Sequence, residues 1–314
     1  MDELHVSLPL TDEAINSFLA QPIYHPSFNK AFKFISKAYR SFGRVPNSCY
    51  ILGDSGVGKT MLANTVKQAI LKKEEQVKFA NSVPVILITL QESALPDAVK
   101  RDILGELDVD YSSHAGDALQ KLLLKQLKIC KVKLVIFDEF QHLLRMRDKD
   151  VNKKACEFIK TFINETNIPV VLLGTPRGHK LFKLHDELRT RFTSAGELHP
   201  MACDNQTSLE YLRTYLEALM VRCPIKTVDI SKGNNPYRVQ LATNGNLRTL
   251  EKLLSELLSE NRKGEKKLTL KDYQEAYEYT RQEPIFTRRG REIKPFVDDI
   301  SLIKNLVAPL EEEE

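Results

Sequence analysis

The chain has 314 residues, 42% of them hydrophobic and 28% charged, with 46 Lys and Arg against 42 Asp and Glu. That length suits one large α/β unit or a core domain with a smaller companion, and the composition excludes a disordered polymer. A formal charge of +4 is too small to declare a nucleic-acid or membrane partner by itself, and no apolar run reaches the roughly 18 residues of a membrane span.

Residues 1–28 carry Pro9, Pro22 and Pro26 and read as an arm leading into the first helix. From Asn29 to Phe42 apolar residues recur at Phe32, Ile35, Ala38, Tyr39 and Phe42, the period of an amphipathic helix. Short apolar runs then alternate with helical stretches: 49–52, 83–90, 132–137, 169–174 and 195–199. Continuous runs rich in Val and Ile suit strands buried on both faces, so a five-stranded parallel sheet wrapped by helices is expected over 29–203. Its ligand would sit beyond the carboxyl ends of the strands. Past Met201 the strand signals stop. Thr207-x-x-Glu210 reads as a capping box opening a helix, Leu247–Leu258 as a second helix, and Thr269-x-x-Asp272 as the start of a third, giving a small all-helical domain over 204–281. The remainder, 282–314, with RRGR (288–291), Pro295, Pro309 and a closing EEEE, reads as a flexible or partner-docking tail.

Five scattered cysteines without a C-x-x-C pair and seven histidines without H-E-x-x-H suggest neither a disulfide framework nor a zinc site. With no basic-then-apolar order in the first residues, the chain is expected to stay in the cytosol.

The chemistry begins at Gly53-Asp54-Ser55-Gly56-Val57-Gly58-Lys59-Thr60, which fits G-x-x-x-x-G-K-[ST] between a predicted strand and a predicted helix opening at Met61. Such a loop aims backbone N–H groups and a helix N-terminus at a phosphate chain; Lys59 would reach the β- and γ-phosphates of ATP, and Thr60 would ligate magnesium. The run 134–137 ends in Asp138-Glu139, a costly ending for a buried strand unless the acids serve a cation or a water. Asp138 would hold Mg2+ through its water shell and Glu139 would activate the attacking water. Thr175, at the tip of the next strand, either touches the γ-phosphate or that water, or caps a helix before Pro176. Arg189 and Arg191 precede the last strand. Either arginine could be offered to a neighbouring subunit's γ-phosphate, or Glu187 could simply pair with Arg191. In the helical domain Arg248 occupies the first turn of a helix, where the dipole disfavours a cation unless phosphate is near.

Together GDSGVGKT, LVIFDE, the polar tip at Thr175, the arginines before Phe192 and GNLR (245–248) resemble an AAA+ ATPase, over about residues 29–261. More narrowly, Ile23-x-His25-Pro26, DEFQHLL (138–144) and LLGTP (172–176) resemble the TniB/TnsC family, the ATPase regulators of DNA transposition. The resemblance implies an α/β AAA+ P-loop NTPase with a helical lid, in a bacterial, nucleoid-associated setting. ATP-bound subunits of the family form a ring or helical filament on duplex DNA, contact a target-selection protein, recruit transposase subunits to the target site, and come apart on hydrolysis. It also implies Lys59 and Thr60 on ATP and Mg2+, Asp138 and Glu139 in hydrolysis, Arg189 or Arg191 acting across the interface, and Arg248 as the lid sensor. AAA+ proteins often restrain the catalytic glutamate with an asparagine on the second strand; here Thr89 and Gln91 stand in that region and the restraint is unassigned. DNA contacts are expected from Lys100, Arg101, Ser112, Ser113 and His114, although Lys100 and Arg101 equally suit a solvated helix face. Two other readings share the nucleotide residues: a replication initiator or helicase loader, and a scaffold that binds nucleotide without hydrolysing it.

Overall fold

A computed structural model describes residues 9–75, 82–92, 95–143, 149–179, 182, 186–264, 266–281 and 283–307. Contacts divide the chain into two compact units, Ser27–His199 and a second formed by Met1–Pro26 with Pro200–Glu314. The acidic run 311–314, Leu144, Ser93, Ala94 and His185 lie outside the described residues.

The first helix, α1 (Asp12–Leu19), belongs to the second unit. The first unit begins in α2 (Pro26–Arg40), which opens three residues before the sequence reading placed it because proline is well accommodated in a first helical turn. There follow β1 (Ser48–Gly53), α3 (Lys59–Glu74), β2 (Val85–Thr89), α4 (Pro96–Glu106), α5 (Gly116–Ile129), β3 (Leu134–Asp138), α6 (Lys149–Thr166), β4 (Val170–Gly174), the short α7 (Asp186–Arg189) and β5 (Phe192–Leu198). The five strands are parallel in the order β2-β3-β4-β1-β5. Alternate residues serve opposite faces. Ile86, Val135, Phe137, Val170 and Leu172 pack with buried residues of α4, α5 and α6, while Cys49, Ile51, Leu134, Ile136, Val171 and Leu173 pack with those of α2 and α3. With helices on both faces, β3 and β4 are buried throughout and read as unbroken runs. The edge strand β5 opens three residues before the run expected at 195–199 and alternates, with Thr193, Ala195 and Glu197 exposed.

The second unit contains α8 (Gln206–Val221), α9 (Asn235–Thr243), α10 (Leu247–Glu260), α11 (Leu270–Thr280), a hairpin of β6 (Ile285–Phe286) and β7 (Glu292–Ile293), and α12 (Ile300–Val307). Its core gathers Ile15 and Phe18 of α1, Leu209, Leu212 and Leu216 of α8, the leucine stripe of α10, and Tyr273, Tyr277 and Phe296. Three sequence expectations are corrected here. The arm is not an irregular lead-in: Pro9 and Pro22 leave room for the eight residues of α1, capped by Thr11, whose hydroxyl accepts the N–H of Ala14 at 3.2 Å. The box at α8 is Asn205 with Ser208 rather than Thr207 with Glu210, so Thr207 falls inside the first turn and Glu210 accepts from Gln206. The described part of the tail is folded, with Phe296 and Ile303 buried. Among the described residues no helix is long and apolar enough to cross a membrane.

Candidate active site

Strand order places the chemistry. Leu52 pairs with Gly174 and Phe137 with Leu172, so the carboxyl ends of β3, β4 and β1 stand side by side. Asp138 and Glu139, Thr175, and the glycine loop after Gly53 therefore leave the sheet at one edge. In an open parallel sheet this is where ligands bind.

The loop turns through Gly56 (φ +82°) and Gly58 (φ +94°), left-handed conformations that a side chain would strain, and Gly58 is the N-cap of α3. Val57 is buried beneath the loop, Asp54 and Ser55 are exposed, and Met61 packs partly against the sheet. Lys59 is only 5% exposed, and its ammonium donates to the carbonyls of Gly53 and Asp54, each at 2.8 Å. Those acceptors hold the cation within the loop, where phosphate oxygens can replace them.

The hydroxyl of Thr60 donates to Oδ2 of Asp138 at 2.7 Å across 78 residues of sequence. Asp138 is 1% exposed; burial pushes its carboxyl above the ordinary range, against the bonds from Thr60 and from the N–H of Glu139 and the nearby charge of Lys59. A buried, under-compensated carboxylate beside a hydroxyl suits a hydrated Mg2+, which is held by one or two protein oxygens plus phosphates rather than by an acidic cage. The oxygen donors present fit a magnesium triphosphate.

Glu139 takes φ +55°, an uncommon backbone conformation costing on the order of 1 kcal/mol for a non-glycine residue. It turns the chain sharply from β3 into the helical turn Phe140–Leu143, and each residue of that turn has a partner. Phe140 packs near Phe182, Leu143 is buried, and His142 Nδ1 lies 2.8 Å from the carbonyl of Leu90. Gln141 donates its side-chain amide to Glu139 Oε2 and accepts the backbone N–H of Thr175 at 3.0 Å. The approach is close enough that a Cβ at Gly174 would meet Gln141 Oε1 at 2.5 Å and Phe140 at 2.6 Å. Gln141 thus makes the contact to the glutamate that the sequence left unassigned around Thr89 and Gln91. Its signal was present only as the Q of DEFQHLL.

Thr175 precedes the turn Pro176–Gly178 but makes no side-chain capping bond, and its hydroxyl is buried without a hydrogen-bond partner among the described residues. This removes the capping role and leaves a buried polar atom suited to a ligand oxygen or water. Near β5, Glu187 pairs with Lys160 at 2.6 Å, and no ion pair between Glu187 and Arg191, the alternative to a finger role, is present among the described residues. The Arg191 side chain is exposed and has no partner among the described residues. Arg189 ends α7 and is also exposed.

The remaining candidates lie elsewhere. Lys100 on α4 pairs with Asp97 at 3.0 Å, and Arg101 is half-buried on the same helix. Ser112 donates its N–H to Asp110 at 2.9 Å, while Ser113 and His114 bond each other at 3.1 Å in the turn before α5. An acid inside that turn opposes a phosphate contact there. Arg248 lies in the first turn of α10, whose N-cap Asn246 accepts from Thr249, and its charge acts on Glu251.

A parallel sheet in this order, a glycine loop feeding α3, an acid pair ending β3 and an accompanying helical unit make up a fold of the AAA+ P-loop class. The family model described as bacterial TniB protein matches residues 23–199, and the chain belongs to the TniB family. No curated protein sequence matches it. Among solved structures, the Aeropyrum pernix ORC2 protein with ADPNP and ADP is similar at TM-score 0.61 and 14% identity, over 86% of this chain and 73% of that one. Cdc6p from Pyrobaculum aerophilum gives TM-score 0.60 at 13% identity, covering 87% and 72%. The A. pernix ORC1 protein in complex with DNA gives 0.58 at 15% identity, covering 83% and 68%. At these identities the likeness is one of fold.

Proposed function

We propose that the chain is an ATP-hydrolysing, DNA-bound regulator of DNA transposition. The observation that carries the enzymatic part is the meeting of Thr60 with Asp138, with Glu139 turned out of the strand immediately beyond. Lys59 would exchange its loop carbonyls for β- and γ-phosphate oxygens, Thr60 and Asp138 would hold magnesium, and the Thr175 hydroxyl, without a partner among the described residues, would face the γ-phosphate or the attacking water. Glu139 accepts the proton of that water. Magnesium held there would supply neutralisation of the phosphate charge. Gln141 keeps Glu139 in one orientation and couples it to the backbone at Thr175.

Membership of the TniB family supports the transposition reading over a replication initiator, and the similarity to an ORC1 structure described in complex with DNA supports DNA as a partner. In this reading ATP closes contacts between subunits on duplex DNA. Arg189 or Arg191 is offered across the contact to the neighbour's γ-phosphate; the exposed Arg191, with no partner among the described residues, is the favoured choice. Arg248 senses the nucleotide from the helical unit. The ATP-bound assembly receives a target-selection protein and transposase subunits, and hydrolysis dismantles it. Sedimentation of the full chain with and without ATP and duplex DNA tests assembly: large ATP-dependent particles on DNA are expected, and a monomer in every combination contradicts it.

A further inference from the structure

The segment 281–298 departs most from a tail. β6 and β7 pair antiparallel, Ile285 with Ile293 and Phe286 with Glu292, and the connecting residues close on themselves. Thr287 donates its N–H to the carbonyl of Arg291 at 2.8 Å and accepts the N–H of Gly290 at 2.9 Å, while its hydroxyl accepts the N–H of Arg291 at 3.1 Å. The base is fastened to α11: Phe296 packs on Tyr273 and Tyr277, and its N–H donates to Gln274 at 3.0 Å. Arg238 holds the carbonyls of Pro295 and Asp298.

The cations sort into two sets. At the base each has an acid: Arg281 with Glu292, Arg291 with Asp298 at 2.7 Å, and Lys294 with Glu278 at 3.7 Å. At the tip, Arg288 and Arg289 are exposed and have no ion pair, hydrogen bond or ring contact among the described residues. Phe286, two residues before Arg288, is 55% exposed, and a Cβ at Gly290 would meet nothing within 4 Å. A stapled turn thus presents two adjacent guanidinium forks and an aromatic ring to open space.

We propose that this hairpin tip is a contact for the phosphodiester backbone of duplex DNA. Arginine's planar fork engages two phosphate oxygens, a two-stranded ribbon is narrow enough to lie in a groove, and the exposed ring can pack on a deoxyribose beside the backbone. An acidic peptide is the other partner that such a pair of cations could take, and the competition below separates it from a duplex. Because the turn is already ordered, binding need not fix it. The proposal rests on the DNA-bound reading above but assigns a contact to the helical unit in addition to any at Lys100, Arg101 and the turn 112–114.

The test is anisotropy of a labelled DNA duplex titrated with the full chain and ATP across a salt series. Arg288→Ala/Arg289→Ala is compared with Lys263→Ala/Lys267→Ala, which removes the same charge from exposed positions of the same unit. The hairpin pair is expected to lose about tenfold in affinity near physiological salt and to reduce the slope of log K against log salt by about 2, while the lysine pair stays within about twofold. ATPase activity without DNA and thermal stability are expected to be unchanged. An unaltered affinity and slope, an equal loss in the lysine pair, or poly-glutamate displacing the duplex as well as unlabelled duplex does overturns the hairpin contact. Absence of DNA binding by the wild-type chain overturns the DNA-bound reading as well.

Discussion

Gln141 bonds Glu139 through its side-chain nitrogen and the N–H of Thr175 through its side-chain oxygen, so one carboxamide ties the end of β3 to the end of β4. One strand end carries Glu139, the proposed base, and the other the Thr175 hydroxyl, which has no hydrogen-bond partner among the described residues. The shared carboxamide would couple a shift at Thr175 to the orientation of Glu139.

Removing that tie loosens the base without touching the phosphate-binding loop. Gln141→Ala is expected to lower kcat for ATP about tenfold with KM changed less than twofold, read by steady-state phosphate release. Gln141→Glu keeps an acceptor for Thr175 but sets a second carboxylate against Glu139, and a loss at least as large is expected. Wild-type turnover in both variants would remove Gln141 from the account.

Burial raises the Asp138 carboxyl. A carboxyl whose folded pKa lies above its unfolded value binds its proton more tightly when folded, so stability falls as pH rises through that window. Asp138→Asn still accepts the Thr60 hydroxyl and carries no charge. In metal-free buffer it is expected to raise the melting temperature at pH 7 and to lose that advantage in acid, while nucleotide hydrolysis is lost. A lower melting temperature at pH 7 would show that the charge is well compensated.

His25 sits buried beside Tyr215, their rings 6.2 Å apart and steeply inclined, and burial lowers its pKa to about 4. An imidazole kept neutral in the fold contributes stability above its unfolded value near 6.5, and that contribution is lost as pH falls toward the folded value. The loss amounts to at most about 3 kcal/mol by linkage. Denaturant titrations at pH 7 and pH 5 are expected to show it in the wild type, and His25→Asn is expected to flatten the difference. An unchanged pH dependence in the variant would place the acid sensitivity elsewhere.

The sheet was legible because strands covered on both faces leave continuous apolar runs, and the glycine loop because its requirements are met within eight consecutive residues. Residues 138 and 139 were legible for a related reason: two acids ending a buried strand are conspicuous. Gln141 was not, since its role depends on Thr175, 34 residues away, meeting it across two strand ends. The cap of α8 slipped by two residues because Asp204, Asn205, Thr207 and Ser208 all offer capping oxygens within five positions, and only backbone geometry selects Asn205. The hairpin escaped notice because its anchor, Phe296, follows no helical or strand period and is held by Tyr273, Tyr277 and Gln274. α1 was hidden by prolines that bracket it rather than break it.

Hydrolysis at this site is the claim on which the functional account depends. The direct measurement is phosphate release from magnesium ATP by the full chain beside Glu139→Gln, with nucleotide binding followed in parallel for both. The account predicts that the variant binds ATP as well as the wild type and turns it over at least about 100-fold more slowly. Equal phosphate release by the two proteins would contradict it.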